Sequence, residues 1–159
     1  MERTSHAPAT TEPDRYLAPG WFTRNVMNRL IRRLTRMGVP VAGSAELRVV
    51  GRSSGEVRST VVNPLDLAGT QYLVAPRGVT AWVRNLRAAG TGELRQGRRL
   101  RAFAAVEVAD ADKTPVLRAY LDAWGWEVGQ FFPGISKASG DDELAAIAPG
   151  FPIFELRAA

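Results

Sequence analysis

From Glu46 to Ala109 the chain alternates short aliphatic and β-branched runs with glycine- and serine-rich turns, and this punctuation limits its fold more than any other feature. Leu47–Val50, Val57–Val62, Leu65–Leu67 and Tyr72–Ala75 read as strands, with turns at Arg52–Glu56 and at Ala68-Gly69-Thr70. Gly92–Gln96 and Leu100–Ala109, turning at Gly97, read as a further hairpin in which Ala102, Ala104, Val106 and Val108 alternate with Phe103, Ala105 and Glu107. Strands this short, joined this closely, make antiparallel hairpins in a sheet or barrel.

Helical periodicity frames and interrupts the strands. Between residues 20 and 37, Trp21, Phe22, Val26, Met27, Leu30, Ile31, Leu34 and Met37 recur every three or four positions among five arginines, and Gly38 and Pro40 stop the pattern. Thr80–Ala89 reads as a short helix with Trp82 and Leu86 on one side, Ala81, Asn85 and Ala89 on another, and Gly90 at its end. Asp112 is positioned to cap a helix from Lys113 to Phe132, whose apolar face carries Leu117, Leu121, Trp124, Val128 and Phe131. Gly134–Asp142 reads as a polar loop and Phe151–Leu156 as a last strand. The expected organisation is a disordered polar leader over residues 1–15, then one α+β domain over 16–159 built on a small barrel.

Composition narrows the chemistry. The 159 residues suit one core, and no apolar run is long enough to span a bilayer. Residues 1–13 do not resemble a secretory signal, so a cytoplasmic location is expected. Cysteine is absent and His6, in the leader, is the only histidine. Disulfides, thiolate nucleophiles, a Ser-His-Asp triad and His- or Cys-based metal sites are thereby excluded, so no metal is expected. Residues 15–101 hold 16 basic and 4 acidic side chains, whereas residues 107–159 hold 4 basic and 9 acidic ones. A basic, arginine-rich segment of this kind meets anions, and arginine's planar fork suits phosphate and carboxylate. No interleaved aromatic and basic strand pattern accompanies the arginines, so nucleic acid is not the expected partner.

Two segments concentrate hydrogen-bond donors. Gly51-Arg52-Ser53-Ser54-Gly55-Glu56-Val57-Arg58-Ser59-Thr60 places small turn residues between two guanidiniums and four hydroxyls, a combination that can cradle a phosphate. Ala75-Pro76-Arg77-Gly78 leaves a strand, and Thr80-Ala81-Trp82-Val83-Arg84-Asn85-Leu86 opens a helix whose N-terminus favours an anionic or polar ligand. Read singly, each has an ordinary structural explanation: a solvated hairpin, a core tryptophan, a surface asparagine.

Together, at this spacing, they resemble the deazaflavin-dependent nitroreductase and F420H2-dependent quinone reductase family, over about residues 45–109. The resemblance implies a split β-barrel of the FMN-binding-like type, carrying an N-terminal and a C-terminal helix. It also implies hydride transfer from reduced coenzyme F420 to a small hydrophobic acceptor of the quinone or nitroaromatic class. By the same resemblance Arg52, Ser53, Ser54, Gly55, Arg58, Ser59 and Thr60 hold the cofactor's phosphate and polyglutamate tail. Ala75, Pro76, Arg77 and Gly78 line the ring edge, and Ala81, Trp82 and Asn85 position the ring and its polyol arm. The family's tyrosines toward the end of the C-terminal helix are replaced here by Trp124, Trp126, Phe131 and Phe132, an apolar substrate pocket, with Tyr120 as the nearby proton donor. An FMN-binding split barrel and a non-enzymatic lipid or small-ligand carrier are the alternatives. The protein is expected as a monomer or homodimer, and the basic amphipathic stretch Trp21–Met37 fits either packing on the barrel or peripheral contact with a membrane.

Overall fold

The computed structural model describes residues 43–159, with the side chain of Glu127 excepted. The expected leader, the helix over residues 20–37 and its membrane-facing alternative lie outside the described residues.

Seven antiparallel strands form one sheet in the order β2-β1-β5-β6-β7-β4-β3. They are β1 (Ala45–Val50), β2 (Val57–Val62), β3 (Leu65–Leu67), β4 (Thr70–Val74), β5 (Thr91–Gln96), β6 (Arg99–Glu107) and β7 (Ile153–Ala158). The two edge strands are consecutive in the chain, separated by Asn63 and Pro64. Pro64 has no N–H to give a ladder, so pairing passes there from β1 to β4 and the sheet curls into a half-barrel. The β3–β4 hairpin turns on Ala68 and Gly69, both at positive φ (51° and 81°), the two-residue geometry whose twist matches the strands.

Helix α1 (Ala81–Ala89) packs on the concave face. Thr80 enters it in extended conformation, and Gly90, at φ 70°, ends it by returning its N–H to the Leu86 carbonyl. Val83 and Leu86 join Leu47, Val49, Leu73, Leu94, Phe103 and Phe154 in a first core. Arg87 donates two hydrogen bonds to the Glu107 carboxylate, at 2.9 and 2.6 Å, and so ties the end of α1 to β6. Gly92 lies under Phe103: an added methyl would come within 2.8 Å of the ring and 3.1 Å of the Arg48 carbonyl oxygen.

Helices α2 (Thr114–Val128) and α3 (Asp141–Ile147) cover the other face of β3, β4 and β7. Here Leu65, Val74 and Ile153 meet Leu117, Tyr120, Leu121, Trp124, Phe132, Leu144 and Phe151 in a second core. Alternation along a strand separates the two: Leu73 faces the first, Val74 the second.

Three expectations need correction. Asp112 does not cap α2; it ends a 3-10 turn, Asp110–Asp112, and Lys113 takes the N-cap position without a side-chain bond to the helix. The Lys113 ammonium is instead buried, 2.6 Å from Asp110 Oδ1 and donating to the Ala148 carbonyl at 3.2 Å. The helix stops at Val128, and Gly129–Phe131 continues as a 3-10 turn. The polar stretch read as a loop ends in α3, whose first turn carries Asp141, Asp142 and Glu143, acids that the helix dipole favours at that end. Among the described residues, no helix is long and apolar enough to cross a membrane.

Candidate functional site

The β1–β2 hairpin is locked by its own backbone. Gly51 N–H donates to the Glu56 carbonyl at 2.7 Å, Gly55 N–H to the Gly51 carbonyl at 2.9 Å, and Glu56 N–H to Ser54 Oγ at 3.2 Å. Gly51 is tightly enclosed: a Cβ there would lie 2.8 Å from Ser54 Oγ, which would have to turn away, and 3.2 Å from the Glu56 carbonyl oxygen. Arg52, Ser53, Ser54 and Gly55 stand exposed at the tip.

The approach to α1 is equally determined. Ala75 N–H bonds the Pro152 carbonyl, Gly78 N–H the Ala75 carbonyl, and Thr80 N–H the Gly78 carbonyl at 3.0 Å. Arg77 is half-buried in this turn and Gly78 buried. Trp82 is half-buried against Phe154, their ring centres 6.0 Å apart. Asn85, one turn on, is only 5% exposed. Its Oδ1 accepts from Arg52 N–H at 3.1 Å and from Arg52 Nη1 at 2.8 Å. Segments 33 residues apart thus become one surface, and the asparagine that periodicity placed with Ala81 and Ala89, away from Trp82 and Leu86, is the joint between them.

β2 divides its donors. Arg58 pairs across the ladder with Val49, and Thr60 with Leu47, so both share the concave side with the first core. Ser59 pairs with Arg48 and projects from the opposite face, so of the three residues expected to hold the cofactor's tail on this strand it stands apart from Arg58 and Thr60. Arg58 is mostly exposed, and the carboxylate paired with it among the described residues, that of Glu56, is 3.8 Å away. Among the described residues its charge is therefore weakly engaged. Sequence reading gave Thr80 no role of its own: it is 8% exposed, and its Oγ1 has no hydrogen-bond partner among the described residues.

The residues expected to line an acceptor pocket gather in and against the second core, away from Trp82 and the first core, with the Trp124 and Trp126 ring centres 6.3 Å apart. Tyr120 is 1% exposed in the second core, its ring 6.5 Å from that of Phe132, on the opposite face of the sheet from Trp82. From there it does not face the surface that Trp82 and Asn85 build, which corrects the expectation of a proton donor beside the ring. Trp124 and Phe132 are buried in the same layer, Phe131 is half-buried, and Trp126 is 77% exposed on the outside of α2. Beside them Phe132, Pro133, Ile135, Ile147 and Phe151 line an apolar cavity of about 200 Å³.

A curled antiparallel half-barrel, with a donor-rich hairpin clamped to the start of a helix on its concave face, defines a split-barrel protein. Two solved structures support that class. One, described as a domain-swapped dimer, is 17% identical and aligns over 88% of this chain and 100% of its own, with a TM-score of 0.53. The other, an F420-H2 dependent reductase (FDR-A), is 15% identical over 73% of this chain and 95% of its own, with a TM-score of 0.51. At these identities the likeness is one of fold. The sequence over residues 21–126 matches the F420H(2)-dependent quinone reductase family, and the chain belongs to that family. This membership gives no support to the FMN alternative. No curated protein matches the sequence.

Proposed function

We propose that the protein is a reductase that takes a hydride from reduced F420 and passes it to a small hydrophobic acceptor, a quinone or a nitroaromatic. The observation that carries this reading is the double hydrogen bond from Arg52 to Asn85, which makes the hairpin and α1 a single site. The donor set fits the anionic end of the cofactor. The Arg52 and Arg58 guanidiniums and the Ser53 and Thr60 hydroxyls offer the phosphate and carboxylate contacts its tail requires. Ser54 already accepts from Glu56 N–H, so its part is to hold the turn, with Gly55 supplying the positive φ of 70° that closes it.

Bound F420 supplies the two-electron chemistry that a chain with no cysteine and one histidine lacks. The chain's own residues bind and orient. Ala75, Pro76, Arg77 and Gly78 form the tight turn that the ring edge would follow, Ala81 opens α1, and Trp82 is an apolar wall that keeps water from one face. Asn85 holds Arg52 in place for the tail. The excess of basic over acidic side chains in residues 15–101 supports an acidic ligand.

The test is a fluorescence titration of purified protein with oxidised F420, followed by F420H2 oxidation against menadione and a nitroaromatic. Binding in the micromolar range with acceptor-dependent oxidation is expected. Arg58→Glu should weaken F420 binding at least tenfold with an unchanged melting temperature. Absence of binding at millimolar F420 would sink the proposal.

A further inference from the structure

Thr80 presents a problem that packing does not solve. Its Oγ1 is buried without a hydrogen-bond partner, the one such side-chain atom among the described residues. Burying a hydroxyl unpaired is costly, and native proteins keep such groups rare. The backbone at Thr80, φ −89° and ψ 176°, is that of a helix N-cap, where a threonine hydroxyl ordinarily accepts from an N–H of the first turn. That bond is not made.

The helix behind it has nine residues and no acid in its first turn, so no charge of its own answers the positive end of its dipole. Arg84 N–H reaches back to the Thr80 carbonyl, which leaves the N–H groups of Ala81, Trp82 and Val83 as the first-turn donors that no α-helix can satisfy internally. Around this point lie Val79, Trp82 and, one turn along, Asn85 with its Arg52. A buried hydroxyl able both to donate and to accept, beside a helix N-terminus and an indole wall, suits the edge of a flat ring that carries carbonyl oxygens and a ring N–H.

We propose that Thr80 is a positioning residue, its hydroxyl and the first-turn N–H groups of α1 taking the oxygen-bearing pyrimidine edge of the deazaflavin ring. This rests on the functional reading above and gives a role in that site to a residue which opens the second motif but to which the family resemblance assigned none. It also explains why the hydroxyl is tolerated: its partner arrives with the cofactor.

The consequence has an unusual sign. In the free protein Thr80 is a liability, so its apolar isostere should be neutral or better for stability while being worse for binding. The experiment compares the full-length protein with Thr80→Val and Thr80→Ser, by thermal melting without cofactor and by fluorescence titration with oxidised F420. Thr80→Val should melt at or above the parent temperature, bind F420 about tenfold more weakly and show a smaller F420-induced rise in melting temperature. Thr80→Ser should bind like the parent. A Thr80→Val protein that melts below the parent, or does not fold, shows that the hydroxyl is already satisfied in solution and overturns the proposal. Affinity within twofold of the parent overturns it too and leaves the reductase reading standing. A parent that binds no F420 removes both.

Discussion

Truncation of Asn85 is the sharpest way to ask whether the hairpin and α1 form one site. Its Oδ1 accepts two hydrogen bonds from Arg52, one from the backbone at 3.1 Å and one from the guanidinium at 2.8 Å. Asn85→Ala removes both and leaves the Arg52 N–H without its partner. A neutral bond of this kind is worth about 1 kcal/mol, and the charge-assisted one falls to about the same, since Arg52 is exposed to competing water. The loss is therefore about 2 kcal/mol, or roughly 4–8 °C of melting temperature for a domain of this size. Asn85→Asp keeps an acceptor in the same place, opposite a guanidinium, and should stay within about 1 kcal/mol of the parent. Yet it puts a negative charge beside the surface proposed for an acidic tail, so F420 affinity should fall in both variants, further in Asn85→Asp. Urea denaturation and F420 titration of the three proteins separate these effects. If Asn85→Ala unfolds at the parent's midpoint, Arg52 is not held by Asn85 in solution and the joined site is wrong.

Other substitutions test the frame around the site. Asp110→Ala strands the Lys113 ammonium, which is 4% exposed, and should cost about 2–3 kcal/mol, less than for a wholly buried pair because Asp110 is itself 58% exposed; Lys113→Met removes the charge with its stem retained and should lie within about 1 kcal/mol of the parent in urea. Gly92→Ala presses a methyl against the Phe103 ring and the Arg48 carbonyl, at 2.8 and 3.1 Å, and should lower stability by about 1–3 kcal/mol with no change in the denaturant slope. Ala68→Asn replaces a residue held at φ 51° with one that tolerates the left-handed region and should raise stability by about 0.5–1 kcal/mol, read as a higher melting temperature.

The sequence announced most elements because their ends are chemically marked. Gly90 and Gly97 take the positive φ values, 70° and 60°, at which a helix or hairpin can turn, and both were legible as stops. The strands were legible because their apolar runs are short and bounded. Helix α3 was not: it has seven residues and buries only Leu144, too little periodicity to stand out from a polar loop. Asp141-Asp142-Glu143 ahead of Leu144 was the available signal. Asp112 misled because an acid before a helical run is a good cap by composition, whereas Pro115, just inside the helix, marked the true start better. Asn85, Tyr120 and Thr80 were opaque for a different reason. Whether a polar residue on a helix meets solvent, core or an arginine 33 positions away depends on which face of the sheet the helix covers, and periodicity within the helix does not carry that.

That division of faces bears on what the chain itself contributes to a reaction. The second core takes in Tyr120, Trp124 and Phe132, so the aromatic helix holds the barrel's outer wall and stands behind the sheet from Trp82. The described site consists of serine and threonine hydroxyls, the guanidiniums of Arg52, Arg58 and Arg77, one amide and an indole, and the carboxylate paired with it among the described residues, that of Glu56, is 75% exposed beside Arg58. Guanidiniums, alcohols and amides do not exchange protons readily enough to serve as general acids or bases unaided. Substitutions in such a site should act on how tightly and in what orientation the ring is held, since orientation is the part of the barrier these groups can lower. A variant that lost turnover with cofactor affinity and ring orientation both intact would point to a proton-transferring group outside residues 51–85.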